Sequence, residues 1–376
     1  MILRRLLWVF AMLALTACSS SSSKVGAQPT LLSEFKQTAS FAVRWHAQLG
    51  GADNYLLRPA IGKTMIVGAS SKGLLTALER ANGKQLWQVN TGIVVSGGVG
   101  GDGSVWVVGG DKGDVLAYDT TGKPLWKVKV SSEVLSVPQV ADGVVVVRSG
   151  DGRIAGLAVA DGKRLWSYDR ATPALVVRSF ASVTIQRGIV YAGFAAGKIV
   201  ALDIKNGSLI WENAVSQPRG NTELDRISDI TSNAVVDDEQ TCAIAFQGRV
   251  ACFDSAQGSP LWNRDISSDK GMMLLRKYLY LTDAKGVVMV LDKTTGSTLW
   301  KNEQLMLRDT TAPYSFADFV VVGDFEGYLH AMNREDGHFV ARIKLDGSPV
   351  AGAPLELDEG LLVQTHDGGL YSLTLH

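Results

Sequence analysis

Five histidines, three cysteines, one acidic triplet and one glycine run are the places in this chain where residue type and spacing could support chemistry. The histidines, His46, His330, His338, His366 and His376, are scattered, and no two stand at a metal-ligand spacing. Structural and catalytic metal sites draw on closely spaced, paired ligands, so no metal centre is expected. Gly97-Gly98-Val99-Gly100-Gly101 is glycine-rich, but no helix follows whose N-terminus would hold a phosphate; the run is expected to be a turn. Asp237-Asp238-Glu239 is expected at a solvated hairpin tip. No serine occupies a nucleophile elbow. Nowhere do a nucleophile, a base and an orienting group come together, so the expectation is a protein that is not an enzyme and holds no cofactor.

Two of the cysteines invite a different chemistry. Cys242 and Cys252 fall on consecutive strand-like stretches, Thr241 to Phe246 and Arg249 to Asp254, joined at Gln247-Gly248. A hairpin of this length sets them opposite or nearly so, and an oxidising compartment permits a disulfide. A two-residue turn would leave the register one residue off, so a bridge and a pair of buried reduced thiols both stay open. The third cysteine ends a targeting segment. Arg4 and Arg5 precede an apolar run, Leu6 to Leu15, too short to span a bilayer. The run closes on Leu15-Thr16-Ala17-Cys18, which resembles the bacterial lipobox. That resemblance implies a signal peptide over residues 1–17, cleavage before Cys18 and lipidation of Cys18. Several acyl chains would give stable anchoring. Ser19 after the cysteine implies, in enteric bacteria, export to the outer membrane. Residues 18–40 are expected to be the lipidated N-terminus and a tether that begins with Ser19 to Ser23.

The elements that must position any site are written as a repeat. A glycine opens an apolar strand, the strand ends near Leu-Asp, and a second glycine is followed four residues later by tryptophan. The copies end at Trp45, Trp87, Trp126, Trp166, Trp211, Trp262 and Trp300, with a degenerate copy placing Ala341 in that position. Successive spacings run from 38 to 51 residues, the size of a four-stranded propeller blade. Asn-Gly and Asp-Gly pairs such as Asn82-Gly83, Asp161-Gly162 and Asn206-Gly207 suit tight hairpins. The chain ends inside a unit, after Leu370-Tyr371-Ser372-Leu373, and the missing outer strand is at the other end, in Phe41-Ala42-Val43-Arg44-Trp45. The prediction is an all-β fold: one eight-bladed β-propeller of four-stranded blades over residues 41–376, the last blade closed by the N-terminal strand. The recurrent tryptophans are expected to be wedges between blades rather than a binding ring. Trp106 is outside the register and is expected in ordinary strand core.

Charge excludes one class of partner. Without the signal segment the chain has 35 basic and 37 acidic residues and no long basic run, so nucleic acid is not an expected partner. Loop length points to another. From blade-ending tryptophan to the next strand-opening glycine the chain takes 24 to 28 residues, except for 31 from Trp166 to Gly197 and 37 from Trp211 to Gly248. These long connectors are consecutive and should lie side by side on one rim, where long loops carry function. The first holds Pro173-Ala174-Leu175-Val176-Val177-Arg178 and the second Pro218 to Asp229. Apolar anchors beside arginine and carboxylates suit protein recognition. The plainer alternatives are that Leu175 to Arg178 starts a strand and that Asp225-Arg226 is a local ion pair.

The glycine, Ala-Leu-Asp, glycine, tryptophan repeat resembles the quinoprotein (PQQ) repeat, some members of which are dehydrogenases holding pyrroloquinoline quinone and calcium on the central axis. A periplasmic PQQ-dependent quinoprotein dehydrogenase is therefore the alternative reading, although this chain lacks the adjacent cysteine pair those enzymes often have. The lipobox, the serine-rich tether, the single propeller and the segment Thr222-Glu223-Leu224-Asp225-Arg226-Ile227-Ser228-Asp229 together resemble the BamB family. That resemblance implies a lipid-anchored, non-enzymatic scaffold on the periplasmic face of the outer membrane, belonging to the BAM complex and binding the POTRA domains of BamA. It implies contact residues at Leu175, Val177, Arg178, Asp229 and Thr231. Thr231 departs from the family, which often has a second aspartate there. Unfolded outer-membrane proteins pairing with strand edges are a secondary expectation.

Overall fold

The computed structural model describes residues 27–376; the signal segment and Cys18 lie outside the described residues. Eight four-stranded antiparallel sheets follow one another as blades. Blade 1 comprises Ala60–Ile61, Met65–Ala69, Leu74–Glu79 and Gln85–Asn90, and blades 2 to 7 repeat this meander. Blade 8 joins Leu355–Leu357, Gly360–Gln364 and Gly369–Leu375 to Phe41–Gln48. Phe41 pairs with Leu375 and Gln48 with Gly369, so the two ends of the chain close the ring as the repeat predicts. The middle strands of each blade are apolar and buried on both faces. The only helical element among the described residues is one short 3-10 turn at Ala195–Gly197.

The repeat has a mechanical explanation. In every blade the outermost strand carries a β-bulge one residue before the tryptophan position; Ala201 pairs with Trp211 but Leu202 pairs with Leu209, leaving Ile210 unpaired. The same shift occurs at Leu86, Leu125, Leu165, Leu261 and Leu299. A bulge bends and twists its strand, which turns the indole toward the neighbouring blade. Each ring lies on the glycine of the next blade's hairpin: Trp45 on Gly83, Trp166 on Gly207, Trp211 on Gly258, Trp300 on Gly337. A Cβ on any of these four glycines would come within 2.3–2.5 Å of the ring, and φ there is 69–76°, so glycine is required twice over. The indole N–H of six wedges donates to a carbonyl of that hairpin, for example Trp166 to Ile204 (2.7 Å) and Trp211 to Ser255 (3.0 Å). The Leu-Asp element caps the same hairpin: Asp203 Oδ1 accepts from the Lys205 and Asn206 N–H groups. Ala341 stands where the wedge would be because blade 8 has no such hairpin; the chain termini meet there instead.

Other expectations resolve differently. Gly97 to Gly101 is part of a strand, Val95–Gly101, and not a turn. Its register breaks between Val95 and Val99, Gly98 has φ 70°, and a Cβ on Gly100 would lie 1.7 Å from the Pro138 carbonyl. Trp106 is fully buried strand core. Cys242 stands directly opposite Cys252 and the two are joined as a disulfide. The register is even because the turn has three residues centred on Gln247, at φ 50°, and not the two expected. Residues 30–40, read as tether, are bound to the propeller. Thr30 N–H donates to Met306 O, Thr38 and Ala39 N–H groups donate to Val340 O, and Arg342 Nη1 donates to Ser33 O. Leu32 and Phe35 pack beside Trp300 and Phe339, and Arg342 lies over the Phe35 ring at 4.9 Å.

A buried charge cluster backs this strap. Arg308 pairs with Asp324 (2.8 Å) and with Glu326, and donates to the Thr30 carbonyl at 3.1 Å. His330 is fully buried between Asp324 and Arg342. Arg342 Nε donates to His330 Nδ1 (3.0 Å), so the proton sits on Nε2, which faces Asp324 Oδ2 at 3.0 Å. Burial lowers the His330 pKa against the pull of Asp324. Burial alone would raise Asp324, but its hydrogen bonds to His330, the Tyr328 N–H and Arg308 hold it below the usual carboxylate range.

Candidate partner-binding face

Connectors between blades and hairpins between second and third strands share one rim, and the two oversized connectors meet there. The first runs from Tyr168 to Thr184, the second from Ala214 to Val235. Neither Leu175 nor Arg178 starts a strand; the next strand is Thr184–Gln186. An extended stretch with no ladder must find partners for its backbone elsewhere. Asp229 supplies them. Its Oδ2 accepts the Val177 N–H (2.8 Å) and its Oδ1 the Ala196 N–H (2.9 Å). The Asp229 carbonyl accepts the Phe246 N–H at 2.8 Å. One carboxylate thus ties the first connector to the second and both to the hairpin of blade 4. Ser182 N–H to Asn233 Oδ1 (2.7 Å) and Thr184 Oγ1 to Ala234 O (2.6 Å) continue the seam inward.

The residues singled out from sequence divide by this geometry. Leu175 is 41 % exposed, as is its neighbour Val176. Val177 is half-buried and Arg178 exposed. The Arg178 guanidinium lies over Phe180 at 5.3 Å and over Tyr55 at 5.6 Å, and Tyr55 belongs to the connector entering blade 1. Such stacking fixes a cation without neutralising it. Asp229 is only 4 % exposed with both oxygens engaged; it holds the loop and does not face solvent. Thr231 is also set back. It is half-buried on the wall of the axial channel, a space of about 640 Å3, and its carbonyl accepts from Ser179 Oγ at 3.5 Å.

Beneath the first connector is a cavity of about 260 Å3 lined by Leu135, Arg148, Val176, Arg178, Phe194 and Asp229. Burial brings the Arg148 pKa down to about 10, with the Asp229 charge opposing the shift. A pocket with an apolar wall and two guanidinium groups suits an apolar or acidic side chain of a partner.

Sequence reasoning missed Leu224. It is 66 % exposed at the tip of a turn that braces itself: Thr222 N–H donates to Asp225 Oδ2 (3.1 Å), Asp225 N–H to Thr222 Oγ1 (3.2 Å), and Arg226 Nε to Gly220 O (3.2 Å). Arg226 pairs with Glu223, not with Asp225. An apolar residue between two carboxylates in a polar loop was the available signal.

Comparison with known proteins gives a consistent result. A family model described as outer membrane protein assembly factor BamB matches residues 71–302. A protein of that description from Burkholderia pseudomallei is 38 % identical over 363 residues, 96 % of this chain and 95 % of the relative. The crystal structure of BamB from Moraxella catarrhalis superposes with a TM-score of 0.82 at 28 % identity, covering 89 % of this chain and 99 % of that one. A quinohemoprotein alcohol dehydrogenase from Comamonas testosteroni gives a TM-score of 0.73 at 14 % identity over 89 % of this chain and 76 % of that one. At that identity the likeness is one of fold alone.

Proposed function

Because this chain belongs to the BamB family of outer-membrane protein assembly factors, we propose that it is a scaffold of the BAM complex that docks on the POTRA domains of BamA through the rim where its two long connectors meet. It is not an enzyme; the relatives it matches are assembly factors, and the dehydrogenase alternative draws on the fold alone. Leu175 and Val177 supply apolar anchors, Arg178 a guanidinium stacked on Phe180 and Tyr55, and Asp229 the clamp that holds all three in place. The observation that carries the proposal is that clamp. A loop with no ladder of its own is pre-organised by a buried carboxylate, and pre-organisation removes an ordering cost that binding would otherwise bear. Thr231 acts from behind, through Ser179. Lipidation at Cys18 would keep the propeller at the periplasmic face of the outer membrane. The mechanism is positioning; no bond is made or broken.

The test is co-purification with BamA from detergent-solubilised envelopes. Arg178→Glu combined with Leu175→Ser should abolish capture, since hot-spot pairs dominate interfaces of this kind, while melting stays as in the unsubstituted chain because both side chains are exposed. Undiminished capture by a normally folded double variant would remove these residues from the interface.

A further inference from the structure

Arg148 stands behind the docking face without a counter-ion. It ends the second strand of blade 3, Val144–Arg148, and its guanidinium lines the cavity beneath the first connector. There it donates to the Ala181 carbonyl at 3.4 Å, and its Cζ lies 5.4 Å from the centre of the Phe194 ring. Neither carboxylate of the cavity wall forms an ion pair with it. Both Asp229 oxygens accept backbone N–H groups, and Glu133 lies along Gly150 of the blade 3 hairpin. Burial brings the Arg148 pKa down to about 10 against the pull of Asp229, so the group is still charged at neutral pH. A guanidinium carries five N–H donors in a fork that matches a carboxylate. Sheltering one behind a single long bond carries a desolvation cost that the free chain offsets only in part.

We propose that Arg148 is a carboxylate receptor: an aspartate or glutamate side chain of the docked partner enters the cavity lined by Val176 and Phe194 and pairs with this guanidinium. The partner is a POTRA domain of BamA, so the inference rests on the docking reading above. Charge complementarity selects an acidic occupant over an apolar one. A hydrocarbon side chain would close the cavity, exclude water and leave the remaining Arg148 donors unmatched, whereas a carboxylate matches them. A space of about 260 Å3 is large enough for such a side chain. The two arginines then divide the work. Arg178 is exposed and acts on encounter; Arg148 is sheltered and acts on the bound state, because a rim charge governs association and a buried charge pair governs dissociation. Arg148 also sets specificity, since a surface that covers the cavity without supplying an anion strands a buried cation.

The test compares the free chain with its complex. Arg148→Met removes the charge and keeps an unbranched apolar side chain. In the free full chain it should leave melting unchanged or raise it, because a sheltered cation without a counter-ion is lost. Against full-length BamA in detergent it should weaken binding at least tenfold, nearly all of it through faster dissociation. Each POTRA aspartate or glutamate of BamA is then replaced in turn by asparagine or glutamine. One of these changes should weaken binding as much as Arg148→Met and add nothing to it when the two are combined, as a coupled pair requires. Lower melting or a failure to fold would make Arg148 a structural residue and overturn the proposal; so would undiminished binding, or losses that add for every BamA carboxylate. The Leu175→Ser and Arg178→Glu double variant, run alongside, reads the rim. Normal binding by that variant defeats the docking reading, whereas its loss of binding together with additive carboxylate losses defeats the Arg148 pairing alone.

Discussion

Replacing Asp229 by alanine separates a residue that touches a partner from one that holds others in place. The change removes two hydrogen bonds to a buried carboxylate and leaves the Val177 and Ala196 N–H groups without acceptors. Bonds to a charged group contribute about 1.5–3 kcal/mol each, and a stranded buried donor costs about 1–3 kcal/mol. The Ala196 hairpin can tighten and water can reach Val177, so a net loss of about 3 kcal/mol is expected. The loss should be local, because blades 3 and 4 keep their own ladders and wedges. Hydrogen exchange is the direct assay: amide exchange at Val177 and its neighbours should quicken roughly 100-fold, following about 1.4 kcal/mol per decade. Proteases should then cut between residues 171 and 180, and BamA capture should fall even though Asp229 itself is buried. Asp229→Asn keeps one acceptor but turns an amide donor toward an N–H, so it should lie between the two. Unaltered exchange at Val177 with loss of capture would refute the clamp and return Asp229 to the interface as a direct contact.

Three further outcomes follow from the fold. Trp211→Ala removes a wedge stacked on Gly258 and bonded to Ser255, and should destabilise the chain by about 3–5 kcal/mol in urea unfolding; a loss below 1 kcal/mol would deny the wedge its role. Replacing Cys242 and Cys252 together by alanine opens a crosslink between residues 10 apart and should cost about 2–3 kcal/mol, with thiol labelling of the unsubstituted chain appearing only after reduction. His330 is held neutral with a lowered pKa, so the unfolded chain takes up its proton first as the medium turns acid. Stability from this site should be complete above about pH 6.5 and decline as pH falls toward the folded value. His330→Gln should flatten that slope below about pH 6.5, and an unchanged slope would place it elsewhere.

The ring was legible in the primary structure because its grammar is local. Leu-Asp, glycine and tryptophan each perform one task at one hairpin, and the task recurs in blades 1 to 7. What joins distant parts of the chain was not legible. Nothing about Asp229 in its own segment announces that it accepts N–H groups from Val177 and Ala196, since those partners come from another connector and another hairpin. The strap was hidden for the same reason. Its residues read as linker because their packing partners, Trp300 and Phe339, are some 270 to 300 positions away. The disulfide register turned on whether Gln247 could adopt a positive φ, which neighbouring residue types do not decide.

Pairing Phe41 with Leu375 sets an order of events during synthesis. The first strand made has no mate until the last one is finished, so seven blades can assemble while the eighth waits. Bringing ends so distant together carries a loop-closure cost of about 5 kcal/mol from the logarithmic length dependence alone. A fragment lacking even the final strand would expose both the edge of blade 8 and the seam it seals, so losses from the C-terminus should be detected by cellular quality control far more readily than their size suggests.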